Sequence, residues 1–290
     1  MAGGDDLPVV DHHCHLSPSG EGIRAAARFR AAGGTHLFLC TQNYDPGPPR
    51  TLDGYAAQFE TTLELAHRVR AETGVVVYPV LAPYPIDLAT VAPPLGLDAA
   101  LELHCRALDL AGAWVREHRA IALGEVGWAH FPVDPEIDRR IQAAFGHALE
   151  VARDVGCPAV VHGPDLDPAG FEALARRARS IGLPAHRVIK HYTRVRWPEG
   201  DRHGVTPSYL ARSDTVKSVL ADPGPWFWET DFLDDPRRPG AVLDLTTVPR
   251  RAQRIRAYRP EVADRLWIPF VESVEAIYGK RPSAAEVTGP

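Results

Sequence analysis

Six side chains that can bind a divalent metal ion stand along this chain, each at or just after the end of a short apolar segment. Such segments are typical of buried parallel strands. Imidazoles and carboxylates together suit zinc, manganese or magnesium. Because the carboxyl ends of parallel strands meet at one rim of a barrel, the six are predicted to converge on one metal centre. They are His13 and His15 in DHHCHL, Glu125 in LGEVG, His162 in VVHG, His191 in IKHY and Asp231 in WETDF.

The pair His13 and His15 is predicted to form a clamp, because residues two apart in an extended strand point the same way. Cys14 is then expected on the opposite face, and His12 has the wrong parity to share the clamp. The alternative is two ordinary histidines in a surface turn, so the prediction depends on the position of the pair directly after an apolar run. Asp11 is expected to orient one imidazole as a hydrogen-bond acceptor.

Two acidic residues, Glu125 and Asp231, are candidates for catalysis as well as for metal binding. A carboxylate at the end of a buried strand is costly unless it is paired or bound to a metal. Glu125 is therefore predicted to bridge two metal ions ~3.5–4 Å apart, and the alternative is a buried salt bridge to arginine or lysine. Asp231 is predicted to be the last ligand or the general base. Glu229, on the same face one layer deeper, is predicted to be a buried structural partner.

The histidines His162 and His191 each close a predicted strand. Either one alone would be interpreted as a core histidine, but two in succession after Glu125 favour metal ligands. Lys190 has the opposite parity to His191 and is expected to point outward, towards the helices. The histidines that fall in helices or before strands are interpreted as structural or surface residues: His36, His67, His104, His118, His130 and His147.

Apolar strands and amphipathic helices alternate along the chain, and this order predicts how the six residues are positioned. Strands are predicted at 7–11, 35–40, 75–81, 120–125, 159–162, 187–191, 205–210 and 226–231. Helices are predicted at 20–32, 52–73, 98–118, 137–155, 169–181 and 261–278. About eight such units within 290 residues predict an α/β fold, a single (β/α)8 TIM barrel.

One domain is predicted to cover residues 1–290, with an ordered core from about 7 to 279 and a disordered tail over 280–290. The segments 82–97, 192–204 and 232–249 are longer than simple connectors. Each follows a predicted strand, so these segments are expected to lie at the catalytic rim and to shape the substrate pocket.

Composition limits the class of partner and location. The formal net charge is −5, so the overall balance gives nucleic-acid binding no support. The four cysteines are scattered without a CxxC pair, which favours free thiols and a cytoplasmic location. The first residues lack the features of a signal peptide, and no apolar run approaches the ~18 residues of a membrane span. No contact with a membrane is therefore expected.

The order His-x-His, Glu, His, His, Asp resembles the TatD family of metal-dependent hydrolases, which belongs to the amidohydrolase superfamily of TIM barrels. The resemblance extends from Asp11 to about Gly279. DHHCHL is similar to the family's first-strand motif, GEVG to its bridging-glutamate motif and ETD to its last-strand motif. The resemblance implies hydrolysis of phosphoesters, often of DNA, with the aspartate as base. It implies one metal ion on His13, His15, Glu125 and Asp231 and a second on Glu125, His162 and His191.

Three segments depart from the family pattern. Typical members carry Gly-x-His-Pro after the third strand, where this chain has LAPY at 81–84. They carry Gly-Leu-Asp after the glutamate and often His-x-Arg after the fifth strand, where this chain has GWA at 127–129 and HGP at 162–164. The missing histidine, aspartate and arginine are groups that would grip phosphates. The departures therefore favour a rebuilt substrate pocket over DNase activity.

The predicted function is metal-dependent hydrolysis, in which a water activated by one or two divalent ions (Zn, Mn or Mg) attacks a phosphoester of nucleic acid or of a small phosphodiester. Asp231 accepts the proton of the water. Hydrolysis of a small-molecule amide, ester or lactone is the first alternative, and a non-catalytic barrel that binds a metabolite or a partner protein is the second. A polymerase-and-histidinol-phosphatase type of barrel, with Asp201 and His203 as a late Asp-x-His, is a third. Lys190, Arg194 and Arg196 are candidates for binding an anion.

Overall fold

Parallel strands alternate with helices along the whole of the computed structural model, which describes residues 7–287. The strands are β1 (Val10–His15), β2 (His36–Cys40), β3 (Val76–Leu81), β4 (Ala122–Gly127), β5 (Ala159–His162), β6 (Val188–Thr193), β7 (Thr206–Leu210), β8 (Phe227–Glu229) and β9 (Phe232–Leu233). The helices are α1 (Ile23–Ala31), α2 (Leu52–Thr73), α3 (Asp87–Leu95), α4 (Leu97–Arg116), α5 (Pro135–Val155), α6 (Pro168–Ile181), α7 (Val216–Val219), α8 (Thr247–Tyr258), α9 (Pro260–Ala263) and α10 (Ser273–Tyr278).

The sheet closes on itself through its last strand. The strand order is β8-β7-β6-β5-β4-β3-β2-β1-β9, and every neighbouring pair is parallel. β8 pairs with β7 and β9 pairs with β1, and only Thr230 and Asp231 separate β8 from β9 in the chain. The two short strands are thus halves of one eighth strand. The prediction of a single (β/α)8 TIM barrel is confirmed.

Two apolar layers hold the barrel together. Inside it, alternate residues of neighbouring strands pack on one another, among them Phe38, Val80 and Val160. Outside it, the other faces of the strands pack against the helices, for example Val161 near Phe145 and Phe171. Both layers are fully buried, which explains why the strands are almost continuously apolar in sequence.

Three strands carry a β-bulge, an extra residue that shifts the pairing register. The shifts lie between Asp11 and Cys14 in β1, between Gly124 and Val126 in β4, and between Lys190 and Thr193 in β6. Each bulge contains or adjoins one predicted metal ligand: His13, Glu125 or His191. A bulge bends the strand and re-aims its side chains, and bulges are common beside active sites.

Side-chain caps explain why the long helices begin and end where the sequence predicted. α2 spans the predicted 52–73 because the Thr51 side chain accepts a hydrogen bond from Gly54 N and Gly74 takes the left-handed conformation at the other end. Asp134 caps α5, and Pro135 occupies its first turn. These local signals do not depend on tertiary contacts, so the bounds could be predicted closely.

Two segments differ in detail from the predicted secondary structure. No helix was predicted within 82–97, but this segment contains α3, in which Leu88 and Val91 are buried against α4 and α5 even though Pro93 and Pro94 lie in the last turn. The segment 261–278 was expected to be one helix, and residues 260–278 are helical without a break. The α-helical hydrogen bonding changes to a 3₁₀ turn at Asp264–Leu266 and to a π-helical turn at Ile268–Glu272, where Pro269 cannot donate a backbone hydrogen bond.

The predicted disordered tail is only partly within the described residues. Ala284–Glu286 forms a 3₁₀ turn, and Glu286 Oε2 lies 3.4 Å from His36 Nε2, so the prediction is wrong for this segment. Residues 288–290, like 1–6, lie outside the described part of the chain. Within residues 7–287, no helix combines the length and the apolar character that crossing a membrane requires.

Candidate metal centre

All six predicted ligands converge at the carboxyl-terminal end of the barrel, and Glu125 lies at the centre of the group. Its Oε1 is 2.7 Å from His13 Nε2 and 3.1 Å from His15 Nε2. Its Oε2 is 3.0 Å from His162 Nδ1. One carboxylate therefore faces imidazoles on two sides.

The first side is completed by Asp231. Its Oδ1 lies 3.7 Å from both His13 Nε2 and His15 Nε2. One ligand atom from each of His13, His15, Glu125 and Asp231 falls within 4.8 Å of all the others. Four donors at this spacing could surround one cation.

The second side is completed by His191. Its Nε2 lies 3.3 Å from His162 Nδ1 and 3.8 Å from Glu125 Oε1. The donor atoms of Glu125, His162 and His191 also lie within 4.8 Å of one another. Since Glu125 belongs to both groups, the arrangement is that of a carboxylate shared by two cations.

The donor set fits divalent metal ions rather than a salt bridge. Among residues 7–287, no arginine or lysine pairs with Glu125, and the basic side chains within 4 Å of its carboxylate are histidines. Burial raises the pKa of Glu125, but the imidazoles around it outweigh burial and hold that pKa well below its usual range. Burial lowers the pKa of His191, which favours the neutral form of its ring, the form that can bind a metal ion. A charged carboxylate among imidazole lone pairs is a ligand set for zinc, manganese or a similar ion.

Asp231 lies in the break of the eighth strand, and its environment holds it there. It has a φ of 49°, a left-handed conformation that aspartate tolerates better than most residues. Its backbone N–H donates to His13 O at 3.0 Å. Burial, together with the nearby Glu125 and Asp11, raises the pKa of Asp231 to about 8.

Asp11 acts on the backbone rather than on an imidazole, which corrects the prediction. Its carboxylate accepts hydrogen bonds from His13 N at 3.2 Å, Thr230 N at 3.0 Å and Thr230 Oγ1 at 2.6 Å. It thus joins β1 to the residue before Asp231. Because the bonded residues are His13 and the neighbour of Asp231, Asp11 fixes the spacing between two predicted ligands.

Two of the imidazoles have partners that fix which nitrogen faces the centre. His15 Nδ1 donates to Cys40 O at 3.1 Å, and His13 Nδ1 lies 3.4 Å from Cys40 Sγ. Such partners orient metal-binding histidines. His191 Nδ1 lies 3.5 Å from Glu229 Oε1 without a hydrogen bond to it, and that oxygen accepts the Tyr192 N–H at 2.6 Å. Glu229 is fully buried, and its donor atom also lies within 4.8 Å of those of His13 and His191.

His12 stays outside the ligand groups, as predicted, but for a different reason. The bulge in β1 turns it into the barrel, below the metal centre. Its ring stacks on Phe227 with 3.8 Å between centroids, and its nitrogens lie 3.1 Å from Ser208 Oγ and 2.7 Å from Tyr278 OH. Simple alternation of side chains could not predict this placement.

The three candidates for binding an anion already have partners. Lys190 is fully buried, its Nζ donates to His191 O at 2.5 Å, and burial lowers its pKa to about 8. Arg194 pairs with Asp165 at 2.5 Å, and Arg196 lies 3.6 Å from the buried Asp222. The structure therefore gives the predicted anion site no support.

Two residues that the sequence analysis did not assign to the site lie against His162. The His130 Nδ1 is 3.0 Å and the Tyr84 OH 3.3 Å from His162 Nε2. His130 was interpreted as structural or surface. The available signal was its place in the loop directly after β4, five residues beyond Glu125, where a barrel presents functional side chains.

The architecture defines the class of protein. A carboxylate shared between two groups of imidazoles, at the carboxyl-terminal mouth of a (β/α)8 barrel, is typical of metal-dependent hydrolases. This chain is such a hydrolase.

Comparison with known sequences gives the family. The family model described as TatD related DNase matches residues 10–279. The chain belongs to the TatD family.

The chain is also similar to individual proteins. An uncharacterized protein of Methanocaldococcus jannaschii is 28% identical over 279 residues, which cover 94% of this chain and 96% of that protein. The crystal structure of YjjV, a TatD homologue from Escherichia coli K12, has a TM-score of 0.63 and 18% identity, covering 94% of this chain and 98% of the other. A mutant of a phosphotriesterase-like lactonase from Deinococcus radiodurans has a TM-score of 0.59 and 15% identity, covering 95% and 96%. At these identities, the solved structures show a shared fold.

Proposed function

We propose that this protein uses two divalent metal ions to hydrolyse a phosphoester bond, in a small phosphodiester rather than in nucleic acid. The observation that supports it most is the position of Glu125 between two complete donor groups. Paired ions suit the in-line displacement of a phosphoester, because they stabilise the attacking and the leaving oxygen together. The family description as a DNase is consistent with phosphoester chemistry.

The charge around the site favours a small substrate. The arginines named above have acidic partners, and Arg237 and Arg238 in the loop after β9 both pair with Asp235. Together with a net charge of −5, this leaves little positive charge to follow a nucleic-acid backbone.

We also propose a cytoplasmic location, with which four free cysteines are consistent.

In this proposal, the residues of the chain have separate roles. His13, His15, Glu125 and Asp231 would hold one ion, and Glu125, His162 and His191 the other. When bound, the ions would activate the attacking water and offset the charge that develops on the substrate. Asp231 accepts the proton of that water. Asp11 and Thr230 hold Asp231 in place.

One observation favours a second candidate, hydrolysis of a small-molecule ester or lactone. The two side chains that contact His162 at the mouth, Tyr84 and His130, offer a hydroxyl and an imidazole rather than a guanidinium. Such donors suit a carbonyl oxygen as well as a phosphoryl oxygen. Amide hydrolysis would use the same arrangement.

A substrate panel tests the proposal. Purified protein reconstituted with manganese or zinc would be assayed on bis(4-nitrophenyl) phosphate and on a set of aryl esters and lactones. We expect turnover of the phosphodiester that is abolished by chelator and restored by metal. Turnover of lactones alone would replace the proposal by the second candidate. Protein that retains no metal and is indifferent to chelator would instead be a non-catalytic barrel.

A further inference from the structure

His162 differs from the other imidazoles of the centre in where its second nitrogen points. Its Nδ1 faces the centre, 3.0 Å from Glu125 Oε2 and 3.3 Å from His191 Nε2. Its Nε2 faces the mouth, where His130 and Tyr84 lie. The other three imidazoles turn their second nitrogen to Cys40 or Glu229, inside the protein.

The position of the ring proton of His162 follows from the valence of a neutral imidazole. A neutral imidazole carries one N–H. When the Nδ1 lone pair of His162 faces the metal centre, its proton must be on Nε2, so Nε2 donates. The nearer acceptor is His130 Nδ1, at 3.0 Å against 3.3 Å for the hydroxyl of Tyr84.

This assignment leaves the hydroxyl proton of Tyr84 without an acceptor. Tyr84 OH cannot donate to a nitrogen that is itself protonated. Within residues 7–287, His162 Nε2 is the sole atom recorded within hydrogen-bond distance of that hydroxyl. Tyr84 is half-buried and its hydroxyl lies at the mouth, so it is placed to donate to a ligand oxygen that enters there.

The backbone around β4 and β5 brings His130 to this position. Gly127 ends β4 with a φ of 141°, and a Cβ there would lie 2.1 Å from His162 O. The Trp128 N–H donates a hydrogen bond to the same oxygen, His162 O, at 3.3 Å. The loop after β4 therefore crosses the end of β5 closely enough for His130 to reach the ring of His162. Phe131 packs edge-on against His130, with ring centroids 5.0 Å apart.

We propose that Tyr84 is a catalytic residue whose hydroxyl donates a hydrogen bond to an oxygen of the attacked ester group. His130 is a positioning residue, which accepts the His162 N–H and leaves the Tyr84 proton available. The inference rests on the proposed function, because it needs an ester at the centre. It does not depend on whether the oxygen belongs to a phosphoryl or a carbonyl group, and the substrate panel separates these two.

Substitutions test the two roles separately. On the best substrate of the panel, Tyr84→Phe is expected to lower kcat/KM by about 10–100-fold with unchanged metal content, since one donor to the developing charge is lost. His130→Ala is expected to lower it less. His130→Asn should recover much of that loss, because the carboxamide oxygen can still accept. His67→Ala, an exposed histidine on α2, is the matched control and should match the wild type.

A spectroscopic measurement tests the same inference without turnover. In ¹⁵N-histidine NMR of protein loaded with zinc, we expect the proton of His162 on Nε2, with a signal that shifts in His130→Ala. A proton on Nδ1, or a Tyr84→Phe variant with wild-type kcat/KM, would overturn the inference and leave the proposed function intact. A wild-type protein inactive on phosphodiesters but active on lactones would instead contradict the proposed function, and the NMR result together with Tyr84→Phe kinetics on the lactone would still decide the inference.

Discussion

At the scale of single residues, the position of each candidate ligand in its strand made the convergence of the six side chains predictable. Glu125, His162 and His191 each stand at the end of an apolar run, and a barrel gathers such positions at one rim. Tyr84 and His130 were missed because they lie in loops. The path of a loop depends on contacts such as the close approach of Gly127 to His162, which no local pattern encodes.

The proposed role of Asp231 as proton acceptor leads to the first prediction. Asp231→Asn keeps an oxygen that can bind a metal but cannot accept a proton. We expect metal content to remain largely unchanged while kcat falls by roughly 10²–10⁴-fold, the usual contribution of a general base. Elemental analysis and steady-state kinetics on the same preparation would measure both. Asp214→Asn, in an exposed position, is the control. Full activity of Asp231→Asn would show that another group is the base.

The shared carboxylate gives the second prediction. In Glu125→Gln, the amide removes the negative charge that both donor groups use. We expect fewer than two metal ions per chain and a loss of turnover larger than in Asp231→Asn, because binding and chemistry fail together. Titration with Mn²⁺, followed by electron paramagnetic resonance, would count the bound ions. Two ions bound as tightly as in the wild type would contradict the bridging role.

At the scale of strands and helices, the sequence did not predict the irregularities of the strands. Alternation of side chains identified the strands but not the bulges in β1, β4 and β6, because an extra residue leaves the apolar pattern almost unchanged. The break at Thr230 and Asp231 was likewise within one predicted strand. These irregularities aim the ligands, so the site depends on features that only the tertiary pairing determines.

Asp87, the first residue of α3, links the loops after β2 and β3 and gives a pH-dependent prediction. It accepts hydrogen bonds from Asn43 Nδ2 at 2.8 Å and Tyr55 OH at 3.4 Å. Burial raises its pKa from 3.8 to about 7. The carboxyl group of Asp87 loses its proton near pH 4 in the unfolded chain, but only near pH 7 in the folded protein. Asp87 therefore makes the protein less stable as the pH rises through this interval.

Removing the charge should remove this pH dependence. We expect Asp87→Asn to gain stability relative to the wild type between pH 5 and pH 8, by on the order of 1 kcal/mol or more. Urea unfolding at the two pH values would measure the difference. Asp45→Asn, at an exposed position, should show no such gain. An Asp87→Asn variant with the pH dependence of the wild type would refute the explanation.

At the scale of the whole molecule, the alternation of strands and helices was sufficient to predict the closed barrel. The substrate was not predictable, because the loops that shape the mouth follow no periodic pattern. The ligands come from β1, β4, β5, β6 and the break of the eighth strand, so bound metal would tie distant parts of the barrel together. Metal binding should therefore contribute to global stability.

Thermal unfolding with and without chelator tests this coupling. An ion at about 100 times its dissociation constant stabilises the folded state by ~2.7 kcal/mol. For a chain of this size, we expect removal of metal to lower Tm by roughly 5–10 °C. The Glu125→Gln variant should lose most of that response. Equal melting temperatures with metal and with chelator would mean that metal does not hold the barrel together.

The central claim is that two cations share Glu125 at the mouth of the barrel. Anomalous diffraction from crystals grown with manganese measures this directly. We expect two peaks on either side of the Glu125 carboxylate, one bounded by His13, His15 and Asp231 and the other by His162 and His191. A map without peaks at these residues, in crystals of protein that turns over its substrate, would contradict the account.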